Sequence, residues 1–106
     1  NAEETMRYLN MVRQRAGVDP VTNFTGFEDL TLAVRCERAR ELGGEFQRKF
    51  DLVRWGIWYT KTLESADYET VRNAILPCHE YYPIPDTQVV YSGYALDNKE
   101  YEKYGL

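Results

Sequence analysis

Near the start of the chain apolar side chains recur at three- and four-residue spacings. Met6, Leu9, Val12 and Ala16 fall on one stripe, and Arg13 shares it. That period predicts an amphipathic helix over residues 2–16, stopped by Gly17 and closed off by Pro20. After a loop, Thr25-Gly26-Phe27-Glu28 has the threonine and glutamate spacing of a capping box, which predicts a second helix from Phe27 to about Gly43. Phe27, Leu30, Val34 and Leu42 are expected on its inner side.

From Glu45 to Gly56 the apolar residues are denser and alternate with charges, and a short third helix is expected there. Ile57 to Ala66 is too short for periodicity to decide between a continuing helix and a loop. Asp67 can cap a further helix to about Leu76, which Pro77 ends. Pro77, Pro83 and Pro85 then restrict the chain to extended and turn conformations, so Tyr81-Tyr82-Pro83-Ile84-Pro85 reads as a packed extended segment or an edge strand. Thr87 is expected to cap one turn through Tyr91. The sum is a mainly α fold of short helices, with an irregular Pro- and Tyr-rich tail and room for one short hairpin or edge strand.

At 106 residues the chain has the size of a single domain with one core, and residues 1–106 are read as one. With 43% apolar, 14% aromatic and 28% charged residues it is too hydrophobic for intrinsic disorder. Runs such as Ala74-Ile75-Leu76 are far shorter than the roughly 20 apolar residues a membrane-spanning helix requires. A net charge of −4 argues against nucleic acid as a partner, since a nucleic-acid module shows a clustered basic surface. The charge is uneven, however. Residues 35–54 hold six Lys/Arg against four Asp/Glu, and most of the cations are arginines, which suit two-pronged pairing with carboxylates. An ion-pair network is expected there rather than a bare anion site.

Catalytic constellations are sparse. Cys36 and Cys78 allow at most one disulfide and are too few for a Cys-rich metal centre, and one histidine cannot complete a zinc site. Cys78-His79 is the one thiol–imidazole neighbour pair, but adjacent residues in an extended chain face opposite ways. Glu37 and Glu41, one helical turn apart, could serve as acid and base. The surrounding Arg38, Arg40, Arg48 and Arg54 would hold their pKa values low, whereas a general acid needs a raised one. No catalytic residue, metal ligand or cofactor-binding motif is assigned. The surplus is aromatic: Trp58, Tyr59, Tyr81, Tyr82, Tyr91, Tyr94, Tyr101 and Tyr104 offer the flat faces that stack on sugar rings or anchor interfaces. Trp55, set among Phe50, Leu52 and Val53, is expected in the core.

Four segments in order carry a resemblance. They are Tyr8-Leu9-Asn10-Met11-Val12-Arg13-Gln14-Arg15-Ala16-Gly17-Val18, Glu37-Arg38-Ala39-Arg40-Glu41-Leu42, Phe50-Asp51-Leu52-Val53-Arg54-Trp55-Gly56 and Tyr82-Pro83-Ile84-Pro85. Together they resemble the C-terminal part of the SusD/RagB family of outer-membrane nutrient-binding lipoproteins of Bacteroidetes. The resemblance implies a non-catalytic, surface-exposed protein that captures a glycan or oligosaccharide for a SusC-like TonB-dependent transporter. It implies lipid anchoring through a part absent from this chain, and packing on tetratricopeptide-like N-terminal helices of a parent protein. The chain is therefore read as a fragment, consistent with an N-terminus that opens directly into a helical pattern. An alternative is a purely structural or interaction subdomain that touches no ligand.

Two departures from the family stand out. Phe46 occupies a position where the family usually has glycine, and the tail from Leu96 to Tyr101 lacks the usual ending. The matching charged residues, Glu37, Arg38, Arg40, Glu41, Asp51 and Arg54, are read as scaffold pinning the second helix to the third. Trp58 and Tyr59, next to that scaffold at an expected turn, are the nominated carbohydrate-binding pair.

Overall fold

The computed structural model describes residues 1–106, of which about 60% are helical, and it contains no strand. The chain divides into two compact units, Asn1–Arg48 and Lys49–Leu106.

The first unit is built on α1 (Ala2–Arg15) and α2 (Phe27–Glu41). Asn1 caps α1, its Oδ1 accepting from the Glu3 amide at 3.1 Å. Gly17, at φ +68°, lets the chain turn left-handed, so that the Val18 amide returns to the Arg13 carbonyl. Asn10 then pins the loop to α1: its side chain accepts from the Val21 amide and donates to the Val21 carbonyl, both at 2.8 Å. The two helices pack on each other, with Leu9 and Leu30 buried and Val12 and Val34 half-buried.

Two expectations for α2 need correction. Phe27 is 77% exposed: it is the first helical residue, and a side chain there leans back off the end of the helix. The capping box is not formed either. Gly26 is the N-cap, and Asp29, not Glu28, reaches back to accept from the Thr25 amide at 3.0 Å. Past α2 the backbone turns at Gly44 and again at Phe46, which has φ +60°. The ring at 46 needs no internal space, since it is 90% exposed. Glycine suits this position because of the left-handed backbone.

The second unit contains most of α3 (Arg48–Arg54), then α4 (Trp58–Ser65), α5 (Glu69–Ala74), a 3-10 turn (Pro77–Glu80), α6 (Asp86–Tyr91) and α7 (Lys99–Glu102). Gly56 at φ +68° closes α3 as Gly17 closes α1, with the Ile57 amide returning to the Leu52 carbonyl at 3.0 Å. The stretch the sequence left undecided is a helix, α4, packed against the 3-10 turn. The buried apolar side chains here are Leu52, Trp58, Ala66 and Cys78; Trp55 is only half-buried. Asp67 does not cap α5, which starts after Tyr68, and Thr87 lies inside α6, which starts after Pro85.

No edge strand forms at Tyr81–Pro85. Ile84 carries the single backbone N–H between two prolines, and that amide donates to Asn98 Oδ1 at 2.8 Å while Asn98 Nδ2 donates to the Ile84 carbonyl at 2.8 Å. One side chain thus takes the place of a neighbouring strand.

Candidate functional site

The carboxylates first considered for chemistry are neutralised. On α2, Glu37 is 6% exposed and accepts from Arg13 Nη1 at 2.6 Å and Arg40 Nη1 at 3.1 Å. Glu41 pairs with Arg15. The partners of both glutamates thus include arginines of α1, which the sequence reading did not assign to them. A buried carboxylate held by two guanidiniums is engaged on both sides as the centre of a structural ion-pair network. Glu37 and Glu41 do line a groove of about 400 Å³ between α1 and α2, but its walls are mainly the apolar Tyr8, Leu9, Val12, Val34 and Leu42. In the second unit Asp51 is 4% exposed and accepts from Arg54 Nη2 at 3.0 Å. These groups support the fold.

The second unit holds the aromatic cluster. Lys49, half-buried on α3, places Nζ 4.0 Å from the centre of the Tyr82 ring and 5.3 Å from that of Trp58. It also donates to the His79 carbonyl at 3.1 Å. The lysine is thus sandwiched by ring faces, whose electron density attracts a cation. His79 Nδ1 accepts from the Leu76 amide at 3.2 Å, and the imidazole lies 5.9 Å from the Tyr101 ring. The thiol of Cys78 is buried beside it, and both cysteines are free. The Tyr101 hydroxyl donates to the Tyr81 carbonyl. Burial, reinforced by Cys78 and Tyr82, pushes that phenol above its ordinary value.

Of the two nominated sugar contacts, Trp58 is 9% exposed and forms the floor beneath Lys49; its neighbour Tyr59 is half-buried. The exposed rings lie elsewhere in this unit. Tyr82 is 77% exposed and Tyr81 66%, and both sit on backbone fixed by Asn98, Tyr101 and Lys49. Sequence reasoning counted Tyr82 among the surplus aromatics but missed Lys49. Nothing in the sequence singled Lys49 out from its neighbour Arg48 in a segment with an excess of cations.

Comparison with known proteins agrees with the motifs. A SusD-like protein of Formosa agariphila is 35% identical over 91 residues, covering 74% of this chain. The chain spans only 16% of the length of that relative. No solved structure matches the chain. The profile of the SusD family matches residues 1–101, nearly the whole of the sequence, and the chain belongs to that family.

Proposed function

We propose that residues 1–106 work as part of a larger SusD-like receptor, a non-catalytic protein that captures glycans at the cell surface and passes them to a SusC-like TonB-dependent transporter of the outer membrane. Family membership supports nutrient binding, and the observation that carries a role for this chain is the pair of exposed rings, Tyr81 and Tyr82, on a backbone held by side-chain hydrogen bonds. Rigid aromatic faces stack on sugars with little ordering cost. No helix is long and apolar enough to cross a membrane. The test is a glycan array probed with this chain beside the full-length parent. Binding by both supports the reading; binding by the parent alone removes the ligand site from this chain.

A second reading, a subdomain that packs on the rest of its parent, has its own support. Large apolar side chains such as Phe27, Leu32, Phe46 and Phe50 are each more than half exposed. Apolar surface of this kind, where contiguous, marks an interface. The two readings are compatible, since one chain can pack through one face and bind through another.

A further inference from the structure

We infer that Lys49 and Tyr82 form a subsite for an acidic sugar residue, one carrying a carboxylate or a sulfate. This rests on the glycan-receptor reading above and names the substrate class. The argument begins with an imbalance. Of the four lysines, Lys61 is paired with Glu64, Lys99 with Asp97 and Lys103 with Glu100, all on exposed surface. Lys49 is the half-buried one, and it has no carboxylate within 4.0 Å. Partial burial of an ammonium makes a counterion more valuable, not less.

The groups around Lys49 answer only part of that need. An ammonium has three N–H donors, and one is spent on the His79 carbonyl. The Tyr82 and Trp58 rings attract the charge without neutralising it. The outer ring, Tyr82, is 77% exposed, so it offers a flat face to solvent while its other neighbours hold it in place. Pro83 follows directly, and Asn98 fixes Ile84 beyond it. The ammonium lies over one face of Tyr82, so a pyranose stacked on the opposite, open face would direct a carboxylate or sulfate substituent past the ring edge toward the remaining N–H donors. A neutral sugar would use the ring and leave the charge unanswered.

Titration calorimetry of the chain with tetragalacturonate and its methyl ester, and with a sulfated galactan oligosaccharide and its desulfated form, tests the subsite. At low salt the acidic member of at least one pair binds tenfold tighter or more than its neutral twin. The pair that shows the preference identifies the anion, and added salt erodes it. Lys49→Met abolishes the preference and leaves neutral binding unchanged, while Tyr82→Ala weakens both members. Helix content by circular dichroism is followed for each variant; Tyr82, being exposed, can be replaced without unfolding should Lys49→Met disturb the fold. Equal affinity for acidic and neutral twins, a preference that survives Lys49→Met, or binding of both members unchanged by Tyr82→Ala overturns the subsite alone. Absence of binding to all four probes, with the parent binding glycans, overturns the subsite together with a ligand role for this chain.

Discussion

The Arg13 guanidinium on α1 lies 2.6 Å from the carboxylate of Glu37 on α2, and that carboxylate is 6% exposed. Its second partner, Arg40, is 66% exposed. Removing one side of a buried pair leaves an uncompensated charge, so Arg13→Ala is expected to cost about 2 kcal/mol, below the ~3–5 kcal/mol of fully buried pairs because Arg40 remains. Arg40→Ala should cost about 1 kcal/mol or less, as exposed pairs do. Thermal denaturation reads the difference: a fall in Tm of roughly 10 °C for Arg13→Ala and a few degrees for Arg40→Ala. Equal effects would mean that the exposed arginine carries the pair.

Phe46 holds a left-handed backbone that disfavours any residue with a Cβ, and its ring is 90% exposed. Phe46→Gly relieves about 1–2 kcal/mol of strain and loses part of that to the greater freedom of glycine in the unfolded chain. The expected net result is stabilisation of this chain by about 0.5–1 kcal/mol, measured by denaturant midpoint at unchanged slope. Destabilisation would show that the ring makes contacts its exposure denies.

Asn98 supplies a donor and an acceptor to Ile84. Asn98→Asp keeps the acceptor and loses the donor; Asn98→Ala loses both. At about 1 kcal/mol per hydrogen bond, the two should cost about 1 and about 2 kcal/mol. Hydrogen exchange of the Ile84 amide should accelerate strongly in the alanine variant and little in the aspartate variant. Unchanged protection in both would remove Asn98 from its role.

The Tyr101 phenol is held above its ordinary value of 10.0, first by burial. The folded chain therefore keeps a proton that the unfolded chain releases first. The contribution is complete below pH 10 and is lost as pH rises from there through the raised value. Stability measured between pH 9 and 12 should decline less steeply in Tyr101→Phe than in the unaltered chain. Parallel declines would contradict the assignment.

Both thiols are free, but Cys78 is 7% exposed and Cys36 is half-buried. A thiol reagent should modify Cys36 first, and both at once in denaturant. Absence of any reactive thiol under denaturing, non-reducing conditions would show the two joined in a disulfide and contradict this arrangement.

How much of this was legible in the sequence depended on the range of the interaction. The spacing of Leu9, Val12 and Arg13 and the break at Gly17 are local, and α1 and the body of α2 follow from them. Arg13 on an apolar stripe was itself a hint, because a cation facing inward requires a partner. Which partner was invisible: Glu37 lies 24 residues away, and periodicity gives a face, not a neighbour. Caps were misread at Thr25, Asp67 and Thr87 for a related reason, since Ser, Thr and Asp side chains have several backbone groups within reach and tertiary packing selects among them. The nomination of Trp58 and Tyr59 rested on their place beside a turn; that turn forms at Gly56, and α4, which begins at Trp58, carries the Trp58 ring inward and leaves Tyr59 half-buried. The exposed rings at Tyr81 and Tyr82 depend on Asn98, Tyr101 and Lys49, contributed from distant parts of the sequence.

The paired hydrogen bonds between Asn98 and Ile84 also bear on how this protein avoids self-association. A straight run with free main-chain donors and acceptors would offer a template for a second molecule to add to, with fibrils as the end point. Here Pro83 and Pro85 carry no donor, and the Tyr81 and Ile84 amides are already engaged within the same molecule. The tail can keep its tyrosines in water at high local concentration without its backbone zipping onto that of a neighbour.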